Sequence, residues 1–164
     1  MPSSSTQGKR EIHEWFGKQK DIQTVLDIGC GCGTYPKLLK DKNYDWAGIE
    51  IYAPYIKKYN LNELYDNLIC GDVTKILLLD ADCVILGDVV EHLKKEDAIQ
   101  LMAEVDAKFK HVVISIPIEY PQGKMEGNPY EEHKSIWTYE DINNAVPACY
   151  KFRELFDNIA VFIK

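Results

Sequence analysis

The stretch VLDIGCGCGTY, residues 25–35, decides how the rest of the chain is read. Val25, Leu26 and Ile28 make the short apolar run of a central strand. Gly29, Gly31 and Gly33 then recur at every second position. Glycine takes positive φ without penalty and has no Cβ to hold a ligand away. The three together let the chain turn sharply while its N–H groups close on something polar. Pro36 falls in the first turn of a helix expected over 35–42, where a missing N–H costs little. The start of that helix carries partial positive charge and suits a carboxylate or a phosphate.

The dinucleotide fingerprint GxGxxG would want its third glycine where this chain has Thr34. Here that glycine comes one residue early, and Asp27 stands just upstream of the first. The resulting DxGxGxG run resembles the first motif of class I S-adenosylmethionine (SAM) dependent methyltransferases. Later motifs follow in the same order. The run DWAGIEI, residues 45–51, reads as a second strand ending in Glu50. In parallel α/β sheets an acid about 20 residues past the glycines accepts hydrogen bonds from ribose hydroxyls; by itself it would also suit a solvated strand end. Ile51 is expected against the adenine face. A third strand, 67–70, runs into Gly71-Asp72-Val73. In the family an acid here lies near the adenine amino group, from which a carboxylate can accept. Taken without the family, Asp72 reads equally as a turn or capping residue ahead of Thr74.

The resemblance covers nearly the whole chain. It implies a Rossmann-like, doubly wound α/β fold with helices on both faces of a mostly parallel seven-stranded sheet. The implied order is 3-2-1-4-5-7-6, with the last strand antiparallel. It also implies that Asp27, Gly29 and Gly31 flank the methionine part of SAM, and that the backbone around Gly87 meets its amino group. Cys30, Gly33, Tyr35, Val73 and Asp88 complete the expected cofactor-binding set.

The remaining segments fit one domain over 7–164. Residues 1–6, MPSSST, are small and polar and are expected to be disordered. Ile12, Trp15 and Phe16 lie at helical spacing within 7–20. A helix is expected from 54 to 60 and a fourth strand over 82–87. The helix expected at 94–108 carries its apolar stripe on Ile99, Leu101, Met102 and Val105, and a fifth strand follows at 110–116. Residues 119–135 are rich in Pro, Gly, Asn and Glu. A loop this long in a compact domain is usually functional. Thr138 reads as an N-cap with Asp141 three residues on, a near capping box. Strands over 148–153 and 159–163 close the chain as a hairpin.

Asp88, Glu91 and His92 are spaced i, i+3, i+4, which on a helix shares one face. The string EHL at this point is common in ubiquinone-biosynthesis methyltransferases and related O-methyltransferases. The site is also similar to that of enzymes methylating the terminal 2′-hydroxyl of small RNAs. Those carry ExxEH here and a further His before a Trp-Thr helix start, and the set binds Mg²⁺ or Mn²⁺. This chain has Asp88-Val-Val-Glu91-His92 and His133-Lys-Ser-Ile-Trp137-Thr138, with Asp in the first place where those enzymes have Glu. Three readings stay open. Glu91, His92 and His133 form a metal-free catalytic set, with one His as base or substrate hydrogen-bond donor. Asp88, Glu91, His92 and His133 hold a divalent ion. Or the acid and histidines brace local turns. His13 and His111 read as structural.

The expected function is methyl transfer from SAM to an oxygen or nitrogen of a small-molecule acceptor. Mg²⁺- or Mn²⁺-dependent methylation of an RNA end is the alternative. A SAM-binding regulatory or partner subunit without catalysis is the alternative of another class. Composition sets outer bounds. The 164 residues carry a net charge of −7, which argues against broad nucleic-acid binding. No apolar run approaches the ~20 residues of a membrane span, and no charged-then-apolar leader is read. The five cysteines include no CxxC pair, so disulfides and structural zinc are disfavoured and a cytoplasmic setting is expected. Oligomeric state is not legible.

Overall fold

The computed structural model describes residues 5–125 and 127–164. Residues 1–4 of the expected disordered tail, and Glu126 of the acidic loop, lie outside the described residues. In chain order the elements are α1 (Lys9–Phe16), β1 (Thr24–Ile28), α2 (Thr34–Leu38), β2 (Asp45–Glu50), α3 (Ala53–Lys58), β3 (Asn67–Cys70), β4 (Cys83–Gly87), α4 (Lys95–Lys108), β5 (His111–Pro117), α5 (Tyr139–Ala145), β6 (Phe152–Phe156) and β7 (Ile159–Ile163). Short 3₁₀ turns add Leu61–Glu63, Val90–His92 and Pro129–Glu131. The strands form one sheet in the order β3-β2-β1-β4-β5-β7-β6. β1 to β5 pair in parallel, and β7 is antiparallel to both β5 and β6.

The inner strands are apolar almost throughout because both faces of the sheet are covered. Side-chain alternation sorts them into two cores. Leu26, Ile28, Val84, Leu86, Val112 and Ile114 face Leu101, Met102 and Val105 of α4. Val25, Cys83, Ile85, Val113 and Val161 face Ile12 and Phe16 of α1, with Tyr35 and Leu39. The edge strand β6 (FRELF) is polar and partly exposed, as an edge that must not recruit another chain should be.

Three local expectations are revised. The first crossover helix, expected over 35–42, is only the five residues of α2. Past Leu39 the sequence Lys-Asp-Lys-Asn offers no apolar anchor, and helices this short depend on packing. β6 begins at Phe152 rather than 148, because Tyr150 closes a turn on Pro147 and Arg153 bonds carbonyls at the end of α5. Asp88 does not share a helical face with Glu91 and His92. It has φ 57, and the turn starts only at Val90. The capping box forms as read: Asp141 N–H donates to Thr138 Oγ1 at 3.0 Å, and Thr138 N–H donates to Asp141 Oδ2 at 3.0 Å.

Candidate functional site

Strand register assembles the site. Ile28 of β1 lies level with Ile49 of β2 on one side and Leu86 of β4 on the other. The next residue of each strand, Gly29, Glu50 and Gly87, therefore stands at the carboxyl edge of the sheet, where the chain's direction of winding reverses. A cavity of about 580 Å³ opens there, within the range of small-molecule sites.

The glycine turn forms one wall. Gly29 has φ 77, and a Cβ there would run into Val89. Its N–H donates to the Ile49 carbonyl at 2.8 Å. Glu50 is buried and bridges two segments. Oε2 accepts from Gly31 N–H and Oε1 from Tyr52 N–H, each at 2.8 Å. Burial pushes the Glu50 pKa up, and the N–H groups of Tyr52, Gly31 and Ile51 pull it back. Glu50 lines the cavity.

Of the expected cofactor-binding residues, Gly29, Cys30, Gly31, Tyr35, Glu50, Ile51, Asp72, Val73, Gly87 and Asp88 line this cavity. Asp27 and Gly33 do not. Alternation along β1 turns Asp27 to the α1 face, where Oδ2 accepts from Tyr65 OH at 2.5 Å. Burial raises the Asp27 pKa to about 7, and Oδ1 has no hydrogen-bond partner among the described residues. Gly33 is the N-cap of α2, and a Cβ on it would meet Leu64. Asp72 lines the cavity and also holds a turn, accepting from Thr74 N–H and Oγ1 while pairing with Lys75 at 2.8 Å.

The other wall is built around Glu91 and His92. The run HKSIW docks onto their turn: Lys134 and Ser135 N–H donate to the Glu91 carbonyl at 2.8 and 3.1 Å. The indole of buried Trp137 donates to Ser135 Oγ at 2.8 Å. This docking sets His133 beside His92, ring centroids 4.9 Å apart and planes at 80°. His92 Nδ1 faces the Glu132 carbonyl at 3.2 Å, and His133 Nδ1 faces the Tyr120 carbonyl at 2.7 Å. A carbonyl only accepts, so each Nδ1 carries a proton, and Nε2 is the lone pair in the neutral form of the ring. Burial holds the His92 pKa below its usual value. Glu91 is buried; burial, then the Asp88 charge, pushes its carboxyl well above the usual range. Its Oε1 is 3.9 Å from His92 Nε2, and Oε2 has no partner among the described residues. Donor atoms of Glu91, His92 and His133 all lie within 4.8 Å of one another; Asp88 is outside this cluster.

The sequence reading missed how 119–135 crosses the cavity. Tyr55 OH donates to Glu131 Oε1 at 3.0 Å, Asn128 Nδ2 to the same oxygen at 3.2 Å, and Tyr52 OH to the Gly127 carbonyl. Glu131 therefore braces the loop. His13 pairs with Asp41 and His111 with Asp21, away from the cavity.

A family model described as a methyltransferase domain matches residues 6–156. No curated protein matches the sequence. Among solved structures, a SAM-dependent methyltransferase from Archaeoglobus fulgidus has TM-score 0.69 at 17% identity, covering 94% of this chain and 91% of that one. An S-adenosylmethionine-dependent methyltransferase from Clostridium acetobutylicum has TM-score 0.69 at 14% identity, over 93% and 87% of the two chains. Magnesium protoporphyrin IX methyltransferase from Synechocystis, solved with S-adenosylhomocysteine (SAH) bound, has TM-score 0.68 at 14% identity, over 96% and 81%. At these identities the likeness is one of fold. No helix among the described residues is long and apolar enough to cross a membrane.

Proposed function

The chain belongs to the class I SAM-dependent methyltransferase family, and from that premise we propose that it transfers the methyl group of SAM to a hydroxyl of a small acceptor, with His92 as base. An amine acceptor fits the same geometry. The cavity suits the cofactor. Glu50 is fixed by two N–H groups and retains lone pairs for ribose hydroxyls. Ile51 and Val73 offer apolar contact to the base, and Asp72 an acceptor for its amino group. The glycine turn admits the amino-acid tail. Bound there, SAM supplies a methyl carbon made electrophilic by its sulfonium.

The protein's own contribution is position and proton removal. The observation that carries this reading is the pair of imidazoles with Nδ1 spent on backbone carbonyls, which leaves Nε2 to meet a substrate. His92, kept neutral by burial, accepts the acceptor's proton at Nε2. Glu91 Oε1 lies 3.9 Å from that nitrogen. His133 orients the acceptor hydroxyl. Holding the acceptor on line supplies much of the rate. The test is transfer of labelled methyl from SAM across a panel of hydroxyl and amine acceptors. Loss of turnover in His92→Ala with SAH binding retained supports the assignment; unchanged turnover refutes it.

A second reading rests on the Glu91, His92 and His133 cluster. Two imidazole nitrogens and a carboxylate oxygen suit Mn²⁺ better than Mg²⁺, which favours oxygen ligands. Such a site fits Mn²⁺-dependent 2′-O-methylation of an RNA end. Asp88 lies outside the cluster, and the net charge of −7 supplies no track for RNA. Activity that survives chelation rules this reading out, and activity restored only by Mn²⁺ replaces the first with it.

A further inference from the structure

The loop at 119–135 leaves the sheet and returns to it, and its two arms meet beside His133. Both contacts that set this residue come from the outgoing arm. Its N–H donates to the Gln122 carbonyl at 2.9 Å, and its Nδ1 faces the Tyr120 carbonyl at 2.7 Å. The Gln122 side chain closes the clamp, its Nε2 donating to the Glu131 carbonyl at 2.6 Å. Apart from the His133 ring itself, this is the side-chain hydrogen bond that joins 119–122 to 131–133 among the described residues. Gln122 is half-buried and lines the cavity.

The arms are held unequally. On the returning arm, Tyr55 OH and Asn128 Nδ2 both donate to Glu131 Oε1, and the Glu91 carbonyl takes the N–H groups of Lys134 and Ser135. The outgoing arm is held less. Glu119 N–H donates to the Trp137 carbonyl at its base. Beyond that Tyr120 is half exposed, and a Cβ added at Gly123 would meet nothing within 4 Å. Exposed segments with so few buried contacts open readily unless something ties them. The carbonyl that orients the His133 ring therefore rides on the weaker arm, and Gln122 draws that arm onto the stronger one.

We propose that Gln122 is a positioning residue for the methyl acceptor: by fastening its arm to the Glu131 carbonyl it holds the Tyr120 carbonyl against His133 and so aims Nε2 of that ring. The inference deepens the methyl-transfer reading and rests on it. Gln122 acts through His133, whose ring direction decides where an acceptor hydroxyl can sit. Small errors in that direction are felt, because in-line transfer depends on the acceptor's placement.

The test is nitrogen-15 NMR of the full chain labelled at histidine, at about pH 8, where an unperturbed imidazole is neutral. In the wild type the His133 ring is expected to hold its Nδ1–H tautomer. Gln122→Leu is expected to let it exchange with the Nε2–H tautomer, while His92, whose Nδ1 faces the Glu132 carbonyl on the returning arm, keeps its signal. Gln122→Glu, which keeps the shape and loses the donor, is expected to do the same and decides the matter should Gln122→Leu not fold. In the labelled-methyl assay, with the best hydroxyl acceptor of the panel, both variants are expected to raise acceptor KM about 3- to 10-fold with the SAH dissociation constant held. An unmoved His133 signal, all four histidines moving together, or a moved signal with an unchanged acceptor KM overturns the positioning role. Wild-type protein that binds no SAH sinks the methyl-transfer reading itself, whereas wild-type turnover with an unmoved His133 sinks only the role of Gln122.

Discussion

The two walls of the cavity are held by different means. On the glycine side, Gly29, Glu50 and Gly87 are level because three parallel strands are in register. Their placement follows from backbone pairing in the interior of the sheet. On the histidine side, His92 and His133 meet because one long loop docks through Lys134, Ser135 and Trp137 onto a single turn. The first wall is shared scaffolding, and the second depends on a few side chains. A change in the histidine wall should thus alter turnover and acceptor choice, and a change in the glycine wall should alter cofactor affinity.

The sharpest way to break this division is His92→Ala. The expected outcome is a fall in kcat of about 10²- to 10⁴-fold with the SAH dissociation constant held. Parallel loss of SAH binding would show that the walls are one unit. Glu50→Ala tests the opposite wall. It strips the acceptor from Gly31 and Tyr52 N–H and from the ribose, so SAH affinity should fall about 100-fold or more. Tyr55→Phe removes the bond to Glu131 that ties the loop across the cavity. A rise of about 3- to 10-fold in acceptor KM with SAH binding unchanged is expected in steady-state kinetics.

Acidity separates the walls again. His92 has its pKa depressed below 6.5, so the acid limb of kcat/KM should have its midpoint below that value, with full activity at neutral pH. A midpoint above it assigns the base elsewhere. Asp27, behind the glycine wall, acts on stability instead. The folded carboxyl keeps its proton to about pH 7, against 3.8 in the unfolded chain. Between those values the folded state binds more protons. Its contribution is therefore full below 3.8 and lost as pH rises through 7. Asp27→Asn should flatten that decline in urea midpoints measured from pH 4 to pH 8.

The same division explains what could be read without coordinates. The apolar strands, the glycine turn, Glu50 and the Thr138 cap are local patterns of period two or fixed offset, and they appear where read. The family motif implies that Asp27 flanks the ligand. Its parity with Val25, opposite to Leu26 and Ile28, already turned it to the other face. Asp88 has the right spacing from Glu91, but spacing implies a shared face only if the backbone is helical, and φ 57 shows that it is not. The contact of Lys9 with Tyr35 spans 26 positions. The Tyr55–Glu131 bond spans 76. Contacts at that separation leave no periodicity in the sequence.

Calorimetry of folded protein with SAH tests the central claim most directly. Saturable binding by the wild type that weakens about 100-fold or more in Glu50→Ala is expected. An absence of heat with wild-type protein that melts cooperatively would contradict the assignment of this cavity to SAM.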